Sequence, residues 1–413
     1  MTTPFQVDVD VDHRRCIVGA EPLIFHCHHY NLALQQALID AAYGDFEPVL
    51  VGAAASVAHA QLTSLFAQGG VAGTAERARV AEELYRWAGF GTLALAGLGP
   101  EGGRLSTEHS HYALGCRAKQ GVSKAPVCFF ASGFLAGALA AIHGLPDGTF
   151  RVTHSACMAC DAPACVFELT PAAGGYELYA SPGVGALTTH APRPIPATPV
   201  DYDGILGAVS GLPLVGDAQG TIDAFGVHLT RHFANYYNRI SFEFLHRLSR
   251  EYGEEGLAAA SETLVEAGRV CAFNTFGGIM QSTEWNALIR PSLASREDWV
   301  DGMVAVVNAF GWGRWQVISV SEAEAEFVLH DDYESVGYRA MYGVSERPVS
   351  FLAQGGVEGL MTLVYLAGIE DAPTLDADFY TKVFSADVSY QATPTTSAAM
   401  GDAVTGFRVE RVG

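Results

Sequence analysis

The stretch Pro126-Val127-Cys128-Phe129-Phe130-Ala131-Ser132-Gly133 is read again further along the chain as Pro348-Val349-Ser350-Phe351-Leu352-Ala353-Gln354-Gly355. Matches at the same offset extend to both sides, and they pair Gly89-Phe90-Gly91 with Gly311-Trp312-Gly313, Gly115 with Gly337, and Gly137 with Gly359. Further out, His29-Tyr30-Asn31 matches Tyr236-Tyr237-Asn238, and Asp161-Ala162 matches Asp402-Ala403. The chain is therefore predicted to contain one module twice. Features that both copies keep indicate fold, and features that only one copy keeps indicate chemistry.

Composition limits the classes of partner. The chain has 413 residues, of which 49% are hydrophobic and 17% are charged, as in a globular protein with a large core. Its formal charge of −21 argues against nucleic acid and anionic membrane surfaces as partners. Residues 1–5 show no signal peptide, and the uncharged stretch 126–145 is interpreted as a buried helix. We expect a cytoplasmic protein whose eight cysteines are ligands or core thiols.

The two copies are predicted to span residues 12–170 and 219–411, with a Pro/Gly-rich linker at 171–218. Proline at alternate positions of the stretch 191–199 favours an extended connector. Closely related copies often keep the contacts of an ancestral homodimer. We therefore expect a pseudo-two-fold pair, with the small-residue helices near 133–137 and 355–359 as candidate contact surfaces.

Each copy is predicted to have the same order of elements. A hairpin at 15–18 and 23–27 precedes helices at 32–43, 48–67 and 75–87. Strands follow at 92–98 and 104–112, then a helix rich in Gly and Ala at 126–142, and short strands at 150–153 and 165–169. This grouping predicts an α/β fold of the α+β kind, in which each tandem domain is an antiparallel sheet with packed helices.

A cysteine-rich segment is the strongest chemical signal. It runs His154-Ser155-Ala156-Cys157-Met158-Ala159-Cys160-Asp161-Ala162-Pro163-Ala164-Cys165, with Cys128 upstream. Thiolates with an imidazole suit zinc, whereas Cys128, Cys157, Cys160 and Cys165 alone suit an iron–sulfur cluster. The second copy has Ser350 and Gly406 at the positions matched to Cys128 and Cys165, so buried core cysteines are the less favoured interpretation.

Two histidine clusters are further candidates for a catalytic or ligand-binding site. His26 and His28 end the first hairpin, and their counterparts in the second copy are not histidines. On the predicted strand 104–112, alternation places His109 and His111 on one face and Glu108 on the other. The four histidines are expected to converge, either as a non-haem iron or copper centre or as a polar pocket. The alternative is that they are separate surface residues.

The segment from Pro126-Val127-Cys128 to Cys165 resembles the 4-vinyl reductase domain found in phenol-responsive sensor modules and in bacteriochlorophyll-related proteins. The resemblance covers most of the first copy, and most of the second without its metal motif. It implies a ligand-binding fold with a structural zinc next to a buried small-molecule pocket. The implied zinc ligands are Cys128, His154, Cys157 and Cys165. The family commonly has glutamate at position 154 and tryptophan at the pocket position where Thr107 stands, and Cys160 is additional.

Three functions are compatible with these features. The first is a zinc-containing protein that binds a small organic molecule, with a functional first copy and a structural second copy. The second is a metalloenzyme with a non-haem metal or an iron–sulfur centre. The third is a scaffold that binds another protein, and a homo-oligomer is possible in each case. Ten of the fourteen histidines precede residue 191, which favours the first two functions over the third.

Overall fold

The structure of the protein is a computed structural model, and it describes residues 3–41, 44–172, 176–183 and 198–413. The predicted α+β class is confirmed, because helices pack on three antiparallel sheets in the described part of the chain. Parts of the predicted Pro/Gly-rich linker, residues 173–175 and 184–197, lie outside the described residues.

Residues 8–171 are called the first half. Its elements are β1 (Asp8–Asp10), β2 (Arg15–Val18), β3 (Glu21–Cys27), α1 (His28–Asp40), α2 (Glu47–Gln68), α3 (Thr74–Trp87), β4 (Gly103–Thr107), α4 (His111–Gln120), α5 (Phe129–His143), β5 (Phe150–Ala156) and β6 (Cys165–Pro171). A single 3₁₀ turn, Met158–Cys160, separates β5 from β6. β4, β6 and β5 form one sheet, in that order.

Residues 222–412 are called the second half, and α6 (Tyr202–Ser210) precedes it. Its elements are β7 (Ile222–Ala224), β8 (Val227–Phe233), α7 (Ala234–Cys271), α8 (Gly277–Gln281), α9 (Thr283–Leu288), α10 (Arg296–Ala309), β9 (Arg314–Val320), β10 (Glu324–His330), α11 (Tyr333–Tyr342), α12 (Phe351–Tyr365), α13 (Ala377–Phe384), β11 (Ser389–Thr396) and β12 (Thr405–Val412). Its sheet has four strands in the order β11-β12-β10-β9.

The two hairpins join the halves in a five-stranded sheet of order β1-β2-β3-β8-β7. β3 pairs antiparallel with β8, and His26 lies opposite Thr230. The backbone N–H of Phe25 donates to Phe310 in the second half, and that of Arg231 donates to Ala88 in the first. Besides the strand pairing, each half therefore accepts a backbone hydrogen bond from the other.

The small-residue helices pack inside each half. A side chain at Gly133 or Gly137 of α5 would collide with the backbone oxygens of Val51 and Ala55 in α2, at 2.2 and 2.1 Å. In the second half, α12 makes the same close approach to α7 through Gly355. The glycine faces of these helices therefore do not form the contact between the halves. Helix α5 does contact the second half through Phe130, whose ring lies 5.4 Å from that of Phe233 and 5.1 Å from that of Tyr236. The close approach that small residues allow is used between α5 and α2, and between α12 and α7.

Several predicted elements differ from the observed ones. Residues 92–98 do not form a strand, because Glu82 of α3 accepts hydrogen bonds from the backbone N–H groups of Leu95 and Ala96. The strand predicted at 104–112 ends at Thr107, and α4 begins at His111. Helix α1 begins at His28, four residues earlier than expected, and residue 43 lies outside the described residues.

Helix α2 is long and apolar enough, by length and composition, to cross a membrane. Its most apolar window is 72% buried inside the protein, mainly beneath α5, which is the burial of a core helix. The apolar helices α2 and α5 pack together at the centre of the first half.

Candidate metal centre and histidine cluster

Four side chains from three segments of the first half meet at one point. Cys128 immediately precedes α5, His154 lies on β5, Cys157 precedes the 3₁₀ turn, and Cys165 begins β6. Their ligand atoms all lie within 4.8 Å of one another. Cys128 Sγ is 4.0 Å from Cys157 Sγ and 3.9 Å from Cys165 Sγ. These four residues could hold a metal ion.

The spacing fits a single ion. With Zn–S bonds of about 2.3 Å, the ligands of a tetrahedral site are separated by about 3.8 Å. The imidazole of His154 stacks on Phe167, with ring centroids 4.3 Å apart, and this contact orients it. Its Nε2 is buried without a conventional hydrogen bond among the described residues. A buried nitrogen without a hydrogen-bond partner, beside three thiols, has the environment of a metal-ligand atom.

The thiols differ in their ease of deprotonation. Hydrogen bonds from the thiols of Cys128 and Cys165 place the pKa of Cys157 far below its usual value. The pKa of Cys128 is raised, because it donates to Cys157 and is fully buried. Metal binding to this set would release thiol protons, because thiolates are the ligand form.

Cys160 is not part of the convergent set. It ends the 3₁₀ turn that follows Cys157, and its side chain is partly exposed. The structure thus brings together the four ligands that the family resemblance implies, and it leaves the additional cysteine outside.

The same place in the second half holds a network of hydroxyl groups. Asp332 accepts hydrogen bonds from Ser350 Oγ at 2.8 Å, from Thr405 Oγ1 at 2.7 Å and from the backbone N–H of Ser335 at 3.0 Å. Ser397 precedes the 3₁₀ turn Ala398–Met400, as Cys157 precedes the turn in the first half. All these side chains are buried.

Strand register corrects one sequence match. His154 lies opposite Phe167, next to a bulge in the β5–β6 pairing, and Pro394 lies opposite Phe407, next to a bulge in the β11–β12 pairing. Counting back from these phenylalanines, the counterpart of Cys165 is Thr405 and not Gly406. Equivalent hydrogen bonds agree with this register, since Met158 N–H donates to Cys165 Sγ and Ala398 N–H donates to Thr405 Oγ1.

His26 is buried in an aromatic cluster between the halves. Its ring lies 4.3 Å from that of Tyr30 and 4.7 Å from that of Trp312, with the ring planes tilted by 31° and 32°. Neither ring nitrogen has a hydrogen-bond partner among the described residues. Burial lowers the pKa of His26 well below its usual value, so the imidazole is neutral. An unpaired buried imidazole is costly, which makes it a candidate ligand-binding group.

A hydrogen-bond chain connects His111 to the second half. The Asn31 side-chain amide donates to His111 Nε2 at 2.8 Å and to Thr230 Oγ1 at 3.0 Å, and its oxygen accepts from the Tyr237 hydroxyl. Nearby, the Tyr112 hydroxyl is 2.9 Å from His232 Nε2. Burial also holds the pKa values of His111 and His232 well below their usual range.

His28 lies between this chain and a surface cleft of about 450 Å³. The cleft is lined by His28, His29 and His228 together with Asp223 and Glu284. The ring of His28 is 3.9 Å from that of His29 and 5.2 Å from that of His228. Burial lowers the pKa of His28 to about 4, so the cleft presents a neutral imidazole near neutral pH.

His109 and Glu108 do not join the histidine cluster. The Thr107 hydroxyl accepts from the backbone N–H of His109 and donates to its carbonyl, so the chain turns there and does not continue as a strand. His109 is half-buried and Glu108 is exposed. His26, His28 and His111 therefore lie in one region without the two residues predicted to join them.

Three contributors were not predicted from the sequence: His232, Tyr237 and Trp312. His232 and Tyr237 are brought to the cluster by the pairing of β3 with β8. Trp312 is held there by its indole N–H, which donates to the Phe25 carbonyl. Sequence periodicity does not reveal either contact. His26 and His232 are the next-to-last residues of β3 and β8, and each packs on the aromatic residue of a Gly-aromatic-Gly motif. These two Gly-aromatic-Gly motifs were the sequence signal from which the aromatic cluster could have been predicted.

The metal set and the histidine cluster are connected through one residue. Ser110 Oγ lies 3.3 Å from Cys128 Sγ, and the next residue, His111, begins α4. Within the described residues, the four-ligand set is the group of His, Cys, Asp and Glu side chains arranged to hold a metal ion. The histidines do not form a second one there.

No protein-family model and no curated protein matches this chain. A solved structure, the phenol-responsive sensory domain of the transcription activator PoxR with phenol, is 14% identical to it and has a TM-score of 0.37. The match covers 50% of this chain and 88% of that one. The comparison is a distant one, and the function proposed below is based on the site itself.

Proposed function

We propose that this chain is a zinc-containing protein that binds a small organic molecule and is related to the 4-vinyl reductase domain. The observation that carries the proposal is the convergence of Cys128, His154, Cys157 and Cys165 within 4.8 Å. Three thiolates and one imidazole form a closed structural zinc site with no open position for substrate. The metal therefore has a structural role, and ligand binding is assigned to other residues.

The spacing of the sulfur atoms supports a single ion over an iron–sulfur cluster. A cluster contains several irons, so its ligand sulfurs are farther apart than the 3.9 and 4.0 Å seen here. Cys160, which would be needed as a fourth thiolate, lies outside the set. Among first-row metals, this mixture of thiolates and imidazole in four-coordination favours zinc.

The small molecule is proposed to bind in the cleft at His28, with His111 and Asn31 behind it. Neutral imidazoles can donate or accept a hydrogen bond, so they would hold a hydroxyl or carbonyl group of an uncharged ligand. Ala224 and Val227 contribute apolar surface to this cleft. The metal set fixes the start of α4 through Ser110, and α4 carries His111.

We also propose that the halves are tandem copies, of which the first is functional and the second structural. Support comes from shared contacts as well as shared sequence. Ser123 N–H donates to Ala159 O at 2.7 Å, and Ser345 N–H donates to Ala399 O at 2.9 Å, at matching positions. The second half replaces the metal ligands with hydroxyl groups, which fits a structural role.

Metal analysis and ligand titration test this proposal. Purified protein should contain one zinc per chain and no acid-labile sulfide, and Co²⁺ replacement should give a thiolate charge-transfer band. In ¹⁹F NMR, 4-fluorophenol should show line broadening that His28→Ala removes and His109→Ala, the matched control outside the cluster, retains. A metal-free folded protein would overturn the zinc assignment. Equal binding by both variants would overturn the ligand site.

A further inference from the structure

A second cavity lies on the other side of the molecule's central sheet. It has a volume of about 230 Å³ and lies between the N-terminal segment, α6 and the β3–β8 pair. Most of its wall is apolar, contributed by Val7, Val9, Leu23, Phe25, Trp87, Leu206, Val209, Leu212, Leu214 and Phe310. None of the histidines of the cluster and none of the metal ligands lines it.

Two buried arginines of the N-terminal segment line this cavity. The side chain of Arg15 is 7% exposed, and its Nη2 makes no hydrogen bond among the described residues. The nearest carboxylate oxygen, in Asp331, is 3.8 Å away, beyond hydrogen-bond distance. Arg14 has an 11% exposed side chain, and its Nε also lacks a partner among the described residues. Unsatisfied buried guanidinium donors point to a missing acceptor.

A third guanidinium enters from the second half. Arg231 lies opposite Phe25 in the β3–β8 pairing, with its guanidinium carbon 4.4 Å from the centre of the Phe25 ring and 4.6 Å from that of Trp87. Its Nε donates to the Leu214 carbonyl at 3.1 Å, and Nη1 is 3.8 Å from Cys16 Sγ. Among the described residues no carboxylate forms an ion pair with it. The two rings hold the group in place and leave donors unused.

The carboxylates near these guanidiniums pair with them only at long distance or pair with other groups. Asp10 also lines the cavity, but it is paired with His13 at 2.8 Å. Asp331 lies 3.8 Å from both His13 Nε2 and Arg15 Nη2. Arg14 Nη2 is likewise 3.8 Å from Asp203, whose side chain is 91% exposed. Three guanidiniums thus line the space, two with long ion pairs and Arg231 with none among the described residues. Such a concentration is unexpected in a chain with a net charge of −21, because uncompensated buried charge is destabilising.

We propose that this cavity binds a small organic monocarboxylate. Its apolar body would pack against Trp87 and the leucine and valine side chains, and its carboxylate would accept hydrogen bonds from the free guanidinium donors. Arginine is the residue best suited to this, because its planar fork matches a carboxylate. The volume lies below the usual range for drug-sized ligands, so an aromatic or short-chain acid fits the size. The apolar wall disfavours inorganic phosphate.

Titration of the full chain with 4-fluorobenzoate, followed by ¹⁹F NMR and Trp fluorescence, tests this site. Binding should be saturable. In the His28→Ala background, which removes the proposed site for uncharged ligands, 4-fluorobenzyl alcohol, of similar shape but uncharged, should bind roughly tenfold to hundredfold more weakly. Arg231→Met should weaken 4-fluorobenzoate binding by the same factor. Arg104→Met is the matched control, since that side chain is 70% exposed on β4, and it should bind normally.

A second variant keeps the test decisive if Arg231→Met does not fold. Leu206→Trp fills the cavity from α6 without changing any charge, and it should abolish binding. The proposal fails if the alcohol binds as well as the acid in the His28→Ala background, if Leu206→Trp binds normally, or if inorganic phosphate competes as strongly as 4-fluorobenzoate. It also fails if no binding of 4-fluorobenzoate is detected. Because the cavity is separate from the His28 cleft, His28→Ala should leave this binding unchanged.

Discussion

The Cys128 site and its counterpart around Asp332 lie at the same place in two similar sets of strands and helices, yet different chemistry holds them together. The first half places there four ligand atoms that could hold a metal ion, and the second half places there a carboxylate that accepts three hydrogen bonds. The same junction of a helix start, a 3₁₀ turn and a strand start can thus be closed by coordination or by hydrogen bonding. The hydroxyl network of the second half shows that this junction can be closed without metal ligands.

The largest effect is expected from breaking the metal set. Cys165→Ala should abolish metal binding and destabilise the first half by about 3–5 kcal/mol, because structural metal binding is coupled to folding. Metal content per chain and urea unfolding measure the two effects. Cys271→Ala, which also removes a buried thiol, should retain the metal. Full metal content in Cys165→Ala would refute the assignment of this ligand.

Breaking the hydroxyl network should have a smaller effect that does not depend on metal. Asp332→Ala leaves Ser350, Thr405 and the Ser335 N–H without their acceptor, at a cost of about 3 kcal/mol. Chelator should destabilise the wild-type protein and this variant by the same amount. Asp378→Ala, at an exposed carboxylate on α13, is the control. A variant as stable as wild type would show that the network contributes little.

The two strand-end histidines provide a third comparison. His26 lacks partners, whereas His232 contacts the Tyr112 hydroxyl and the Phe233 N–H. His26→Phe should therefore stabilise the protein by about 1–2 kcal/mol at pH 7, and His232→Phe should destabilise it by about as much. Thermal or urea unfolding of both variants measures this. Loss of stability in His26→Phe would show that its imidazole has a bound partner.

The effect of His26→Phe should also depend on pH. Burial lowers the folded-state pKa of His26 below its unfolded value of about 6.5. Above that pH the imidazole is neutral in both states, and its titration does not change the free energy of unfolding. Stability is lost as the pH falls below about 6.5, with a slope of up to about 1.4 kcal/mol per pH unit. The advantage of the variant should therefore grow between pH 6.5 and pH 5. A constant difference over this range would contradict the lowered pKa.

The smallest effect is expected at Cys160. Because this side chain is partly exposed and outside the convergent set, Cys160→Ser should keep the metal and change stability by about 0.5 kcal/mol or less. Metal analysis beside Cys165→Ala checks this. Loss of metal would mean that Cys160 is a ligand and would reopen the iron–sulfur interpretation.

Local patterns carried the successful predictions. The hairpin at β2 and β3 was found within about two residues, because its turn and strand residues are adjacent in sequence. The cysteine set was found because three of its four members lie within one short segment and its counterpart in the second half lacks cysteine. In both cases the interacting groups are close along the chain or visible as a difference between the two halves.

The unsuccessful predictions concern side chains that override a local pattern. Polar residues after Thr107 were interpreted as a continuing strand, but the Thr107 hydroxyl closes a turn there. Glu82 prevents a strand at residues 92–98, although β9 forms at the matching place in the second half. His232 could not be assigned to the cluster, because its position beside His26 depends on a strand pairing between distant segments.

The pairing of β3 with β8 has a consequence for synthesis on the ribosome. His26 and Thr230, which lie opposite each other, are separated by 204 positions in the chain. At about 5–20 residues per second, β3 emerges roughly 10 to 40 s before its partner strand. During that interval its N–H and C=O groups form an open strand edge, which can pair with other nascent chains. The edge of β3 that pairs with β8 therefore stays unpaired during synthesis until the second hairpin arrives.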